Sequence, residues 1–142
     1  MGTIKVDTIT PLATNSEVTI ASNKFVGTAA GTMTVVGEGG TTQTNLQQGL
    51  LKSWIQFNGT GTIGTQDSYN RSGLTDNGTG DYTLTFTNNM SNDDYHVGLG
   101  TNSAENEISA LATSTVRVLA LNSSGSSNDK SIITLGVHGD LA

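Results

Sequence analysis

Apolar and polar residues alternate along this chain in short runs punctuated by turn residues. The clearest run is Tyr82-Thr83-Leu84-Thr85-Phe86, where Tyr82, Leu84 and Phe86 share one face and the threonines the other, the pattern of a strand with one buried side. Similar runs predict strands at Ser53 to Asn58, Thr62 to Gly64, Tyr82 to Thr87, His96 to Gly100, Ile108 to Ala112, Thr115 to Asn122 and Ser131 to His138. The spacing of the turn-rich segments between them is that of an antiparallel sandwich. Asn58-Gly59-Thr60-Gly61 and Asp76-Asn77-Gly78-Thr79-Gly80-Asp81 supply residues that accept the positive φ of tight turns. In Thr115 to Asn122, Arg117 is the one polar break in a strand otherwise apolar on both sides, which places that strand centrally, and Asn122 to Asp129 then reads as a flexible hairpin loop.

Upstream, Thr3 to Ile9, Glu17 to Ala21, Lys24 to Val26 and Thr32 to Val36 read as strands too short to build a core of their own, separated by Pro11 and by Gly27, Gly31 and Gly37. An intertwined, multichain β prism would accommodate them. Leu46, Leu50, Leu51 and Trp54 then recur at helical spacing, and Thr44 or Asn45 offers a cap, so a helix of about two to three turns is expected over Asn45 to Trp54, weakened by Gly49. The predicted fold class is all-β: an N-terminal β stem or docking segment over 1–43, a short helical connector over 44–53, and a C-terminal antiparallel β-sandwich over 54–142.

Composition sharpens this picture. Hydrophobic residues make up 34% of the chain and aromatic ones 5%, a thin supply for a core, which predicts that copies of the chain cover part of each other's apolar surface. The net charge of -6 and the six scattered Lys and Arg residues argue against nucleic acid, whose phosphates need a basic patch. No apolar run has the length of a transmembrane helix, and Met1-Gly2-Thr3-Ile4-Lys5 lacks the apolar core of a signal peptide, so neither membrane insertion nor export is expected. The chain has no cysteine, which excludes disulfides and thiolate chemistry.

Few residues suggest chemistry. Asp76 and Asp81 flank a loop with alternating oxygen ligands that resembles a calcium loop, but a turn explains it more simply, since the distal bidentate Glu is missing. His96 and His138 are the only histidines; a metal site would need further ligands, and as threefold-axis ligands one His per chain would hold an ion, while an exposed position for His138 fits equally well. Asp93 and Asp94 are adjacent acids whose side chains diverge on a strand, unsuited to the spaced carboxylate pair of a glycosidase. The Asn-X-Ser/Thr sequons and the irregular Thr-X-Thr triplets follow from composition, not from glycosylation or an ice-binding face. Most aromatics belong in the core, with Tyr69, in its polar Asp67-Ser68-Tyr69-Asn70-Arg71 setting, the candidate to stack on a sugar ring. No enzyme and no cofactor are expected.

The stretch Leu50-Leu51-Lys52-Ser53-Trp54-Ile55-Gln56-Phe57-Asn58-Gly59-Thr60-Gly61-Thr62, with Asp67 to Asn70, Leu74 to Phe86 and Asn92 to Val97, resembles C-terminal modules of tail-fibre-like virion proteins of tailed bacteriophages, especially marine phages. Gly2 to Ile9 with Val18 to Ile20 resembles the start of such proteins. The resemblance implies a non-enzymatic virion component, usually a trimer with an elongated β stem and a compact β tip. On that basis the chain is expected to be a short homotrimeric fibre or adhesin that docks on other virion proteins through its N-terminal segment. Its tip would meet a host surface glycan or protein through loops near Tyr69 to Leu74, Asn88 to Asp94 and Asn122 to Asp129. The expected contact residues are Tyr69, Asn70, Arg71, Asn92, Asp93 and Asp94. A head fibre or capsid decoration protein, and a carbohydrate-binding β-sandwich module, remain the alternatives.

Overall fold

The structure is a computed structural model and describes residues 34–36, 42–102 and 105–142. A small antiparallel ribbon, β1 (Thr34–Val36) with β2 (Gln43–Asn45), precedes a helical turn, α1 (Leu46–Gly49). There follow β3 (Leu51–Asn58), β4 (Gly64–Tyr69), β5 (Arg71–Gly78), β6 (Asp81–Phe86), β7 (His96–Thr101), β8 (Glu105–Leu111), β9 (Thr115–Leu121) and β10 (Ile133–His138). These make two four-stranded antiparallel sheets, ordered β4-β3-β10-β7 and β5-β6-β9-β8. The all-β sandwich expected from alternation is therefore present. The strands predicted at Thr3 to Ile9, Glu17 to Ala21 and Lys24 to Val26 lie outside the described residues, as does most of the proposed stem. Among the described residues, no helix is long and apolar enough to cross a membrane.

Burial follows the alternation. Tyr82, Leu84 and Phe86 of β6, Val116, Val118 and Ala120 of β9, and Ile133, Leu135 and Val137 of β10 all face the space between the sheets, joined there by Ile55 and Phe57 of β3 and Val97 of β7. Rings lock edge to face: Phe57 on Tyr82 from opposite sheets, with centroids 5.1 Å apart, and Phe86 on Tyr95, just before β7, at 5.9 Å. β9 is interior to its sheet, as its apolar character on both faces required.

Two expectations fail for identifiable reasons. The helix predicted over Asn45 to Trp54 shrinks to the single turn Leu46–Gly49, and from Leu51 the chain is strand. Gly49 weakens a longer helix by roughly 1 kcal/mol relative to alanine, whereas extending Lys52 to Asn58 buries Ile55 and Phe57 completely. The helical spacing of Leu50, Leu51 and Trp54 is coincidental, and Leu50 and Leu51 remain 52% and 40% exposed, so no helical face is packed away. The second miss is β4 and β5: the strand expected at Thr62 to Gly64 meets β4 only at Gly64, and the rest of these two strands was not expected as strand. Both are edge strands of their sheets, and their residues are mostly exposed or half-buried, so they carry little hydrophobic signal.

The strands run up and down between two ends. At the near end, where the chain enters the sandwich at Leu51, Asn70, Asn88 to Asp94, Thr113 and the C-terminal residues meet: Met90 N–H donates to Thr113 O at 2.8 Å and Ser91 N–H to Asp140 O at 2.8 Å. At the far end, Gly59 N–H donates to Lys130 O at 2.8 Å and Asn102 N–H to Ile132 O at 3.2 Å.

One tyrosine hydroxyl latches each end. At the far end Tyr82 donates to Gly59 O or to Asp129 Oδ1, at 3.0 and 2.8 Å, and at the near end Tyr95 reaches Ala112 O and Thr115 O at 3.0 and 2.9 Å. Burial raises both phenols above the ordinary value near 10, and for Tyr82 the Asp129 carboxylate adds to the rise. With the folded value raised, the associated stability is fully present below about pH 10 and declines above it, as the unfolded chain releases protons that the folded chain keeps. Urea titrations from pH 8 to 11 are expected to show unfolding free energy falling above about pH 10 by up to roughly 1.4 kcal/mol per pH unit for each tyrosine. Tyr82→Phe is expected to remove its share of that slope.

Candidate functional site

Since Ile55 and Phe57 point inward, Trp54 and Gln56 of β3 project from the outer face of the β3 sheet. Register then defines rows across that face. One row places Tyr69 of β4 beside Trp54, followed by Gly136 of β10 and Gly98 of β7. A second, toward the far end, aligns Asp67, Gln56, Thr134 and Gly100. A third, toward the near end, aligns Leu51, His138 and His96, and here a bulge skips Lys52, so that Leu51 joins the outer face.

The middle row is half aromatic and half bare. The two glycines leave a shallow depression of about 350 Å³, walled by Trp54 and Leu51 and rimmed by Gln56 and Thr134. Leu51 leans over Gly136, where an added Cβ would come within 3.1 Å of the leucine methyl. Over Gly98 the space is open: the nearest atom to an added Cβ is the Gly136 carbonyl oxygen at 3.9 Å. Beside the depression, Tyr69 is 56% exposed, so its ring extends the tryptophan surface outward. Two amphipathic rings next to a glycine floor, bordered by an amide, a hydroxyl and a carboxylate, suit a flat ligand with an apolar face and polar edges.

The other expected contact residues sit elsewhere. Tyr69 ends β4 and Arg71 begins β5, so Tyr69 to Leu74 is the crossing between sheets and a strand, not a loop. Asn70, with φ of 54°, makes that crossing and its amide is spent on it: Nδ2 donates to Lys52 O and Asn88 O, both at 3.0 Å, while Oδ1 accepts from Asn88 N–H at 2.7 Å. Arg71 Nε donates back to Ser68 Oγ at 3.4 Å. Asn92, Asp93 and Asp94 form an exposed turn at the near end, with Asn92 Oδ1 accepting from Asp94 N–H at 3.0 Å. Asn122 to Asp129 lies at the opposite end, so the three segments do not converge on one tip.

Asp76 and Asp81 are likewise engaged. Asp76 Oδ1 accepts from Gly78 N–H at 2.9 Å, closing the β5–β6 turn, and Arg117 Nε donates to Asp81 Oδ1 at 2.8 Å. The Arg117 hydrogen bond holds the Asp81 carboxyl below its ordinary range. Among the described residues, no group of three or more His, Cys, Asp or Glu gathers as a metal site.

Trp54, Gly98 and Gly136 were invisible as a site in the sequence. The single available signal was the exposed parity of Trp54 relative to Ile55 and Phe57, obscured by the leucines before it. Comparison of this chain with protein-family models, with curated proteins and with solved structures found no match.

Proposed function

We propose that this chain is a non-enzymatic attachment component of a tailed-phage virion, a sandwich tip carried on an N-terminal docking segment, and that it meets a host surface glycan at the outer face of the β3 sheet. The observation that carries the reading is the Tyr69–Trp54 pair in register beside the open glycine floor of Gly136 and Gly98. A pyranose is amphipathic in the same sense: its C–H face stacks on an aromatic ring while hydroxyls at its edge reach Gln56, Asp67 and Thr134. A single shallow site binds weakly. Three copies in a homotrimer multiply that affinity through avidity, the arrangement the resemblance to fibre modules implies. The exposed Val35 and Leu50 before the start of the sandwich support an association of copies in that region.

Binding of the full chain to a glycan array and to host cells tests the reading. Trp54→Ala removes the stacking surface, and Gly98→Val fills the depression where a Cβ meets only ordinary contact. Each is expected to weaken binding at least about ten-fold, roughly 1.4 kcal/mol, without loss of fold. Wild-type protein that adheres to neither array nor cells, or variants that adhere as well as wild type, would overturn it. Labelled protein located on the particle by electron microscopy separates tail attachment from head decoration.

A further inference from the structure

Independently of the attachment reading, we propose that His96 and His138 form a two-histidine site for a divalent transition-metal cation such as Zn²⁺, Ni²⁺ or Cu²⁺. These are the chain's two histidines, far apart in sequence, yet the β7–β10 register sets them directly opposite each other. Their ring centroids lie 6.0 Å apart with the planes inclined by 40°. With metal–nitrogen bonds near 2.0–2.1 Å, two imidazoles on one tetrahedral cation place their ring centres roughly 5–5.5 Å apart. A small rotation of the exposed His96 side chain closes that difference.

His138 adds a second observation. Its Nδ1 is buried and meets no hydrogen-bond partner among the described residues, a costly state for a polar atom. A turn of this imidazole that brings a ring nitrogen toward His96 gives it a cation as partner. Neutral imidazole is the ligand these borderline cations favour, whereas calcium and magnesium prefer the oxygen ligands that this row lacks. On the other side of His138 stands Leu51, so the site is one-sided and open to solvent beyond His96. No third His, Cys, Asp or Glu joins the pair among the described residues, leaving the remaining coordination positions to water.

Isothermal titration of the full chain with ZnCl₂, NiCl₂ and CuCl₂, paired with melting curves in metal and in EDTA, decides the question. One cation per chain and a raised melting temperature are expected for at least one of the three. Because the second imidazole acts intramolecularly, His96→Gln and His138→Gln are each expected to weaken binding about 100-fold. His96 is exposed on an edge strand, so its substitution leaves the fold intact and the comparison interpretable. Absence of heat and of any melting shift at millimolar metal would overturn the site. So would a metal response that survives both substitutions, which would place the cation on carboxylates.

Discussion

Tyr82→Ala is expected to lower the stability of the sandwich by about 3–5 kcal/mol, a large part of the roughly 5–15 kcal/mol that holds a typical domain folded. The side chain is fully buried, its ring meets Phe57 edge to face across the two sheets, and its hydroxyl lies within hydrogen-bond reach of Gly59 O and Asp129 Oδ1. The same Asp129 oxygen accepts from Gly80 N–H at 2.6 Å. Gly80 itself has φ of 66° and sits so close to the β9–β10 loop that a Cβ there would lie 2.5 Å from Asn128 N. One tyrosine thus ties the β3–β4 loop, the β5–β6 turn and the β9–β10 loop into the far end. Tyr82→Phe keeps the ring and loses only the hydroxyl, leaving a carbonyl and a carboxylate without that partner, and is expected to cost about 1–3 kcal/mol. Urea denaturation of both variants checks the division. Equal losses would mean that the hydroxyl, and not ring burial, dominates; a loss below about 1 kcal/mol for Tyr82→Ala would remove Tyr82 from the core.

Deleting residues 1–43 is expected to convert a three-chain assembly into a folded single chain. Every buried apolar residue of the described chain lies at Ile55 or beyond, and the sandwich closes its core from both of its own sheets. The thin apolar content of the whole chain therefore argues for partner copies chiefly in the segment before the sandwich, where Val35 is 51% exposed. Under the proposed trimer, full-length protein gives about three times the chain mass by light scattering, and the truncated protein gives the mass of one chain with an intact cooperative melt. A truncated protein that remains trimeric would move the interface onto the sandwich. A full-length protein that is monomeric at dilute concentration would sink the fibre reading altogether.

Alternation by itself was sufficient for β6, β9 and β10, because each buries one face fully and the period of two leaves its mark on every second residue. The Asn77-Gly78 signal located the turn between β5 and β6, which the structure narrows to Thr79 and Gly80, and the all-β class followed. Where burial is partial that mark fades: β4 and β5 are polar edge strands, and in β3 a bulge at Lys52 breaks the alternation just where Leu50, Leu51 and Trp54 imitate a helix. The candidate ligand face and the histidine pair belong to another level. Tyr69, Trp54, Gly136 and Gly98, or His138 and His96, become neighbours only through pairing of strands distant along the chain. Local propensity carries no information about which strands pair or in what register. That choice is made by the collective burial of both inner faces, so the chain's own order of residues determined its strands and turns, and tertiary packing alone decided what its outer surface assembles.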